Sequence, residues 1–152
     1  MLKKLLGTEN DLAGLVLRLS LGIVFFPHGA QKVLGWFGGY GFIGTMGFFT
    51  QKLGIPAPFA FLAIVAEFFG AIGLVVGLLT RVAAFGIACD MVVAVVMLHW
   101  QNGFFMNWAG NLKGEGFEYH ILVVAIALAL MIRGGGLWSL DGKLAKKLDK
   151  PH

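Results

Sequence analysis

Four stretches of this chain are long and apolar enough to cross a lipid bilayer, at residues 12–34, 58–79, 82–99 and 117–132. A spanning helix needs roughly 20 mainly apolar residues, so four of them leave little chain for a separate domain. Composition agrees: 58% of the 152 residues are hydrophobic and only 13% are charged, about half the charge of an ordinary soluble domain. The expected fold is an all-α integral membrane protein, a four-transmembrane-helix bundle forming one domain over residues 1–141, with a basic tail at 142–152.

Punctuation sets the span boundaries. Asn10 or Asp11 can cap the first helix, Gly35 ends it, and Pro56 and Pro58 open the second. Between spans two and three stand only Thr80 and Arg81, which predicts a tight antiparallel hairpin. Residues 36–57 carry Gly38, Gly39, Gly41, Gly44 and Gly47 among Phe42, Phe48 and Phe49, too apolar for a solvated loop and too broken for a span. They predict an interfacial or re-entrant segment after helix 1. Pro27 predicts a kink inside the first span.

The chain's basic character, net charge +4, could suggest nucleic acid in a soluble protein, but the basic residues are spread thinly and gather toward the tail. That pattern fits a membrane surface and no nucleic acid. Lys3, Lys4, Arg81, Arg133, Lys143, Lys146, Lys147 and Lys150 fall on the side of the termini, against Lys32, Lys52 and Lys113 on the other. The positive-inside rule then puts both termini in the cytoplasm. A single cysteine, Cys89, excludes a CxxC redox pair and an intramolecular disulfide.

An ionisable side chain inside a bilayer costs roughly 2.5–3.5 kcal/mol on insertion scales, so each one needs a partner or a cavity. Arg18, Glu67 and Asp90 fall within the first three spans, each on a stripe of small residues that suits a helix–helix interface. Arg18 is expected to reach both carboxylates, as a buried ion network that fixes helix register or as a proton relay. A second group, His28, Lys32, His99, Trp100, Glu118 and His120, gathers toward the opposite side from the termini. It could hold a quinone head group, ligate a metal or haem, or only hydrogen-bond at the interface.

The motifs Phe26-Pro27-His28-Gly29-Ala30-Gln31-Lys32, Ala66-Glu67-Phe68-Phe69-Gly70, Gly116-Phe117-Glu118-Tyr119-His120 and the closing Gly134-Gly135-Gly136-Leu137-Trp138-Ser139-Leu140-Asp141 resemble, in order and spacing, the DoxX family of small four-helix bacterial membrane proteins. The likeness runs from about Leu12 to Asp141, and Arg18, His28, Lys32, Glu67, Arg81 and Glu118 stand where the family pattern looks similar. The resemblance implies a multi-pass protein of the bacterial cytoplasmic membrane associated with oxidoreductase systems, some relatives being subunits of a thiosulfate:quinone oxidoreductase. The expected function is a redox subunit that meets quinone from the lipid and works with a soluble or membrane oxidoreductase partner, or as a homo-oligomer. The rival expectation is a non-enzymatic small-solute carrier or a membrane assembly protein.

Overall fold

The computed structural model describes residues 5–148 and is all-helical over them. Lys3, Lys4 and Lys150, counted above in the charge asymmetry, lie outside the described residues, as does the end of the expected tail. Helix α1, Leu12–Leu34, begins at Asp11, whose carboxylate accepts from the Gly14 amide at 2.8 Å, and ends at Gly35 in the left-handed region. It runs as one helix through Pro27. A short 3-10 turn Trp36–Gly38, helix α2 Gly41–Gly47 and a π-wound turn Phe48–Lys52 follow, so the glycine-rich segment is a chain of short helices joining α1 to α3. Helix α3 is Ala57–Val76, opened by Pro56 and Pro58. Helix α4, Thr80–Ala94, continues through a π-wound Val95–His99 and a 3-10 turn Trp100–Asn102. Helix α5 is Glu118–Arg133 and helix α6 is Leu140–Leu148.

Among the described residues three helical runs are long and apolar enough to span a membrane: Leu12–Leu34, Ala57–Val76 and Thr80–Asn102. Helix α5, the expected fourth span, has 16 residues, about 24 Å at 1.5 Å per residue. It packs as the fourth member of the bundle: α1 lies on α3, α3 on α4, α4 on α5, and α5 also meets α1. The protein is a small multi-pass helical membrane protein.

Lipid is no worse a solvent for leucine than another helix is, so close backbone approach has to drive packing. The buried core is accordingly rich in alanine, with Ala30, Ala60, Ala71, Ala84 and Ala127 fully covered, while Ile23, Phe69, Phe85, Val96 and Leu122 face outward. At the tightest crossing a Cβ on Gly29 would lie 2.5 Å from the Cα of Phe68. The small-residue face expected on the first span is thus an interface, with Gly22 likewise against Ala71 and Val75.

The hairpin between α3 and α4 differs from the expectation. Gly77, at φ 71°, stops α3, so the turn occupies residues 77–79 and Thr80 and Arg81 already belong to α4. The signal that starts α4 comes from the far end of the chain. The buried carboxylate of Asp141 accepts from the amides of Leu79 at 2.7 Å and Thr80 at 2.8 Å, and the Asp141 amide donates to Gly77 O at 2.8 Å. This capping holds Leu79 at φ 50°, a left-handed conformation that a branched apolar residue rarely adopts alone. Arg81 closes the C-terminus of α5, donating to Met131 O and to Ile132 O at 2.8 Å, and also to Gly7 O at 3.0 Å. Gly136, at φ 70°, fits against Gly14, where a Cβ would lie 2.8 Å from the Gly136 Cα.

Replacing Asp141 by alanine leaves two amides at the start of α4 without acceptors, at a cost of about 2–4 kcal/mol. Thermal unfolding in detergent should show a lowered midpoint for D141A, and an unchanged midpoint would exclude this capping role. Asp11 behaves differently with pH. The Gly14 amide, and then Arg133, hold its carboxyl below the ordinary value of 3.8. The cap is therefore complete above that value, persists on acidification to it, and is lost only as pH falls through the lower folded value. The protection of the Gly14 amide against exchange, relative to its intrinsic rate at each pH, should fall only below about pH 3.8.

Candidate functional site: a polar cluster between four helices

Helical side chains lean toward the N-terminus of their own helix, and this rule decides which charges meet. Gly29 packs on Glu67 and Phe68, so the level of Glu67 is the level of Gly29. Lys32 stands three residues further along α1 and leans back to it. Glu67, on the antiparallel α3, leans the opposite way. The two form an ion pair, with the Glu67 side chain buried and that of Lys32 partly so.

Arg18 does not join them, which corrects the expected Arg18–Glu67–Asp90 network. It sits 11 residues before Gly29, about 16 Å along the helix, and leans toward the end that carries the termini. Its buried guanidinium donates to four carbonyls: Gly135 at 2.8 Å, Leu74 at 3.0 Å, Val75 at 2.5 Å and Leu137 at 3.2 Å. Two of these are the last carbonyls of α3, where the helix dipole favours a cation. Arg18 is therefore a fastener between α3 and the triglycine segment.

Around Lys32 and Glu67 the other helices contribute one polar group each. The Asp90 carboxyl of α4 lies beside Glu67 and within the field of Lys32. Tyr119 of α5 lies within the field of Glu67, and its hydroxyl is buried without a hydrogen-bond partner. His28 of α1 is close to both Lys32 and Glu67, with its ring exposed on the outer face of the bundle, 6.1 Å from the Phe25 ring. The two groups that look separate in the sequence thus merge: Lys32, expected with the histidines, is the counter-ion of Glu67.

The remaining candidates form a neighbouring layer at the end of the bundle away from the termini. The rings of His99 and His120 pack 4.2 Å apart, His99 Nδ1 donates to Glu115 O at 2.9 Å, and buried His120 Nδ1 has no partner. The π-winding of Val95–His99 changes the angular register of α4, which is why His99 turns toward α5 despite its spacing from Asp90. Trp100 stacks on Phe117 at 5.5 Å, and Glu118 Oε1 accepts from the Met106 amide at 2.8 Å. Among the described residues no three His, Cys, Asp or Glu side chains converge to hold a metal ion. A groove of about 460 Å³ opens beside this layer, lined by Phe104, Met106, Trp108, Glu118, Tyr119, Ile121 and Leu122. Tyr119 belongs to both places, lining the groove while its hydroxyl is buried in the protein.

Sequence reasoning missed Tyr119. Its signal was available: it lies next to His120 at the start of an apolar helix, where a phenol needs a partner when buried.

Residues 13–100 match the DoxX family model, and the chain belongs to the DoxX family. It is 33% identical over 95% of its length, and 88% of the relative's, to the "Uncharacterized membrane protein Rv3486" of Mycobacterium tuberculosis. It is 30% identical, over 79% of each chain, to the "Putative oxidoreductase CatD" of Bacillus subtilis. To the "Inner membrane protein YqjF" of Escherichia coli it is 28% identical, over 91% of this chain and 96% of the relative. No solved structure matches the chain.

Removing the Lys32 charge strands Glu67 as a lone buried carboxylate, a loss of about 3–5 kcal/mol, whereas removing both partners relieves most of it. Unfolding of Lys32→Met, Glu67→Leu and the double variant in detergent should show the double to be more stable than Lys32→Met alone. Strictly additive losses would contradict the pairing.

Proposed function

We propose that this protein is a membrane subunit of a bacterial redox system that exchanges protons with quinone carried in the lipid. The observation that carries the proposal is the polar cluster itself, with Lys32, Glu67, Asp90 and Tyr119 drawn from four helices. One ammonium faces two carboxyls, so the set is neutral when the carboxyls share one proton. Holding such a set in an apolar bundle is costly, and in membrane proteins such groups mark proton and substrate paths.

Quinone reduction takes two electrons and two protons. The groove beside Tyr119 lies within the usual range for small-molecule pockets, roughly 300–1,000 Å³, and it is lined mainly by apolar and aromatic groups, as a quinone ring requires. Tyr119 Oη and His120 Nδ1, each buried without a partner, have the chemistry to hydrogen-bond a quinone oxygen. Lys32 holds Glu67 in place, and the Glu67–Asp90 pair passes the two protons one after the other, taking up the second from the aqueous side once the first has been handed on. Electrons come from a partner oxidoreductase. The relative named an oxidoreductase supports this reading, and the relative named for the inner membrane supports that location; the asymmetry of basic residues supports cytoplasmic termini.

Two measurements test the proposal. A mass-spectrometric inventory of molecules that co-purify after gentle extraction should contain quinone in stoichiometric amount, depleted in Tyr119→Phe. In membranes, Glu67→Gln should lower quinone-linked turnover by at least ten-fold while the protein remains at its normal level. Normal turnover in a well-inserted Glu67→Gln variant would sink the reading. A C-terminal reporter active only in the cytoplasm should give signal, and a silent reporter on abundant protein would reverse the orientation.

A further inference from the structure

Helix α6 has no role in the polar cluster, yet its two sides differ sharply. Leu140, Leu144 and Leu148 recur every fourth residue and so form one stripe, and each is exposed by more than a third. Lys143 and Lys147, also four apart and exposed, form the adjacent row. Asp141 lies on the other flank of the stripe and faces the protein, bonded to Leu79 and Thr80. The start of α6 is thereby pinned to the α3–α4 turn, where Leu78, Leu79 and Val82 are exposed as part of the apolar belt of the bundle. Trp138, 77% exposed at φ 57°, stands just before the helix.

We infer that α6 is an in-plane anchor that lies on the chain's own bilayer, its leucine stripe in the acyl boundary and Lys143 and Lys147 on the phosphates of anionic lipid. Three observations select a bilayer as the occupant. The leucine stripe continues the exposed apolar surface of the spanning helices, so the same medium covers both. The row beside it carries cations at the spacing where lysines extend to the headgroups. Trp138 is an indole at the edge of that surface, the place where indoles prefer to sit. The Asp141 cap then fastens the anchor to α4, so a helix too short to be stable alone in water has a fixed start and an apolar support.

The test uses the full chain in vesicles. With Cys89→Ser as background, Leu144→Cys carries an environment-sensitive fluorophore, and the protein is reconstituted in phosphatidylcholine or in phosphatidylcholine containing phosphatidylglycerol. The label should report an apolar surrounding in the anionic vesicles and a wetter one without them. Lys143→Gln with Lys147→Gln should reduce the docked-to-free ratio roughly five-fold per lysine, and added salt should act in the same direction. Circular dichroism and the melting midpoint, unchanged in the double variant, separate loss of docking from loss of fold. A water-exposed label in both vesicles would overturn the inference. So would equal burial in both lipids that ignores the lysines, or burial only in native membranes, which would assign the stripe to a protein partner.

Discussion

The buried charges of this chain have almost no water to turn to, and the architecture follows from how each is answered. Arg18 is answered by backbone: four carbonyls from two segments surround one guanidinium, fastening the end of α3 to the triglycine stretch. Asp141 is answered by two amides at the start of α4, and Arg81 by the last carbonyls of α5. Three charged side chains thus close three helix ends at one edge of the bundle, where these backbone groups would otherwise lack partners. The contacts are long-range in sequence, so the chain's two ends and its central hairpin form one unit.

The opposite half of the bundle holds the remaining buried charges. There the helices are joined by alanine and glycine faces and by the Lys32–Glu67 ion pair. The pair has more acidic than basic company, and the phenol next to it lacks a partner. A purely structural network would be expected to satisfy its buried members, because a half-satisfied one is worse than an apolar core. Tyr119 lines the aromatic groove, and His120 packs beside it against the His99 ring.

The fold was largely legible because hydrophobic length and glycine or proline punctuation act locally. The span expected at residues 12–34 matches α1 at both ends, and α5 is displaced by one residue. The tight hairpin was legible but its turn lies at residues 77–79, because the helix start depends on Asp141, about sixty positions away, whereas the adjacent Thr80 and Arg81 look like turn residues. The site was legible in its membership but not in its pairing. Glu67 and Lys32 announce themselves as charges in apolar helices. Which cation meets which carboxylate depends on the depth of the Gly29–Phe68 crossing and on the direction a helical side chain leans, and depth matching between antiparallel helices is not written in either helix alone. His99 was similarly hidden: ideal helical spacing points it away from the cluster, and only the π-wound turn brings it against His120.

The central claim is that the Glu67–Asp90 pair holds a proton that moves when quinone is reduced. Redox-induced infrared difference spectroscopy on the reconstituted protein with bound quinone reads this directly, through the carbonyl stretch of a protonated carboxyl. The account predicts a carboxyl band that changes on quinone reduction and disappears in Asp90→Asn while quinone remains bound. A redox difference spectrum with full quinone signals and no carboxyl change would contradict it.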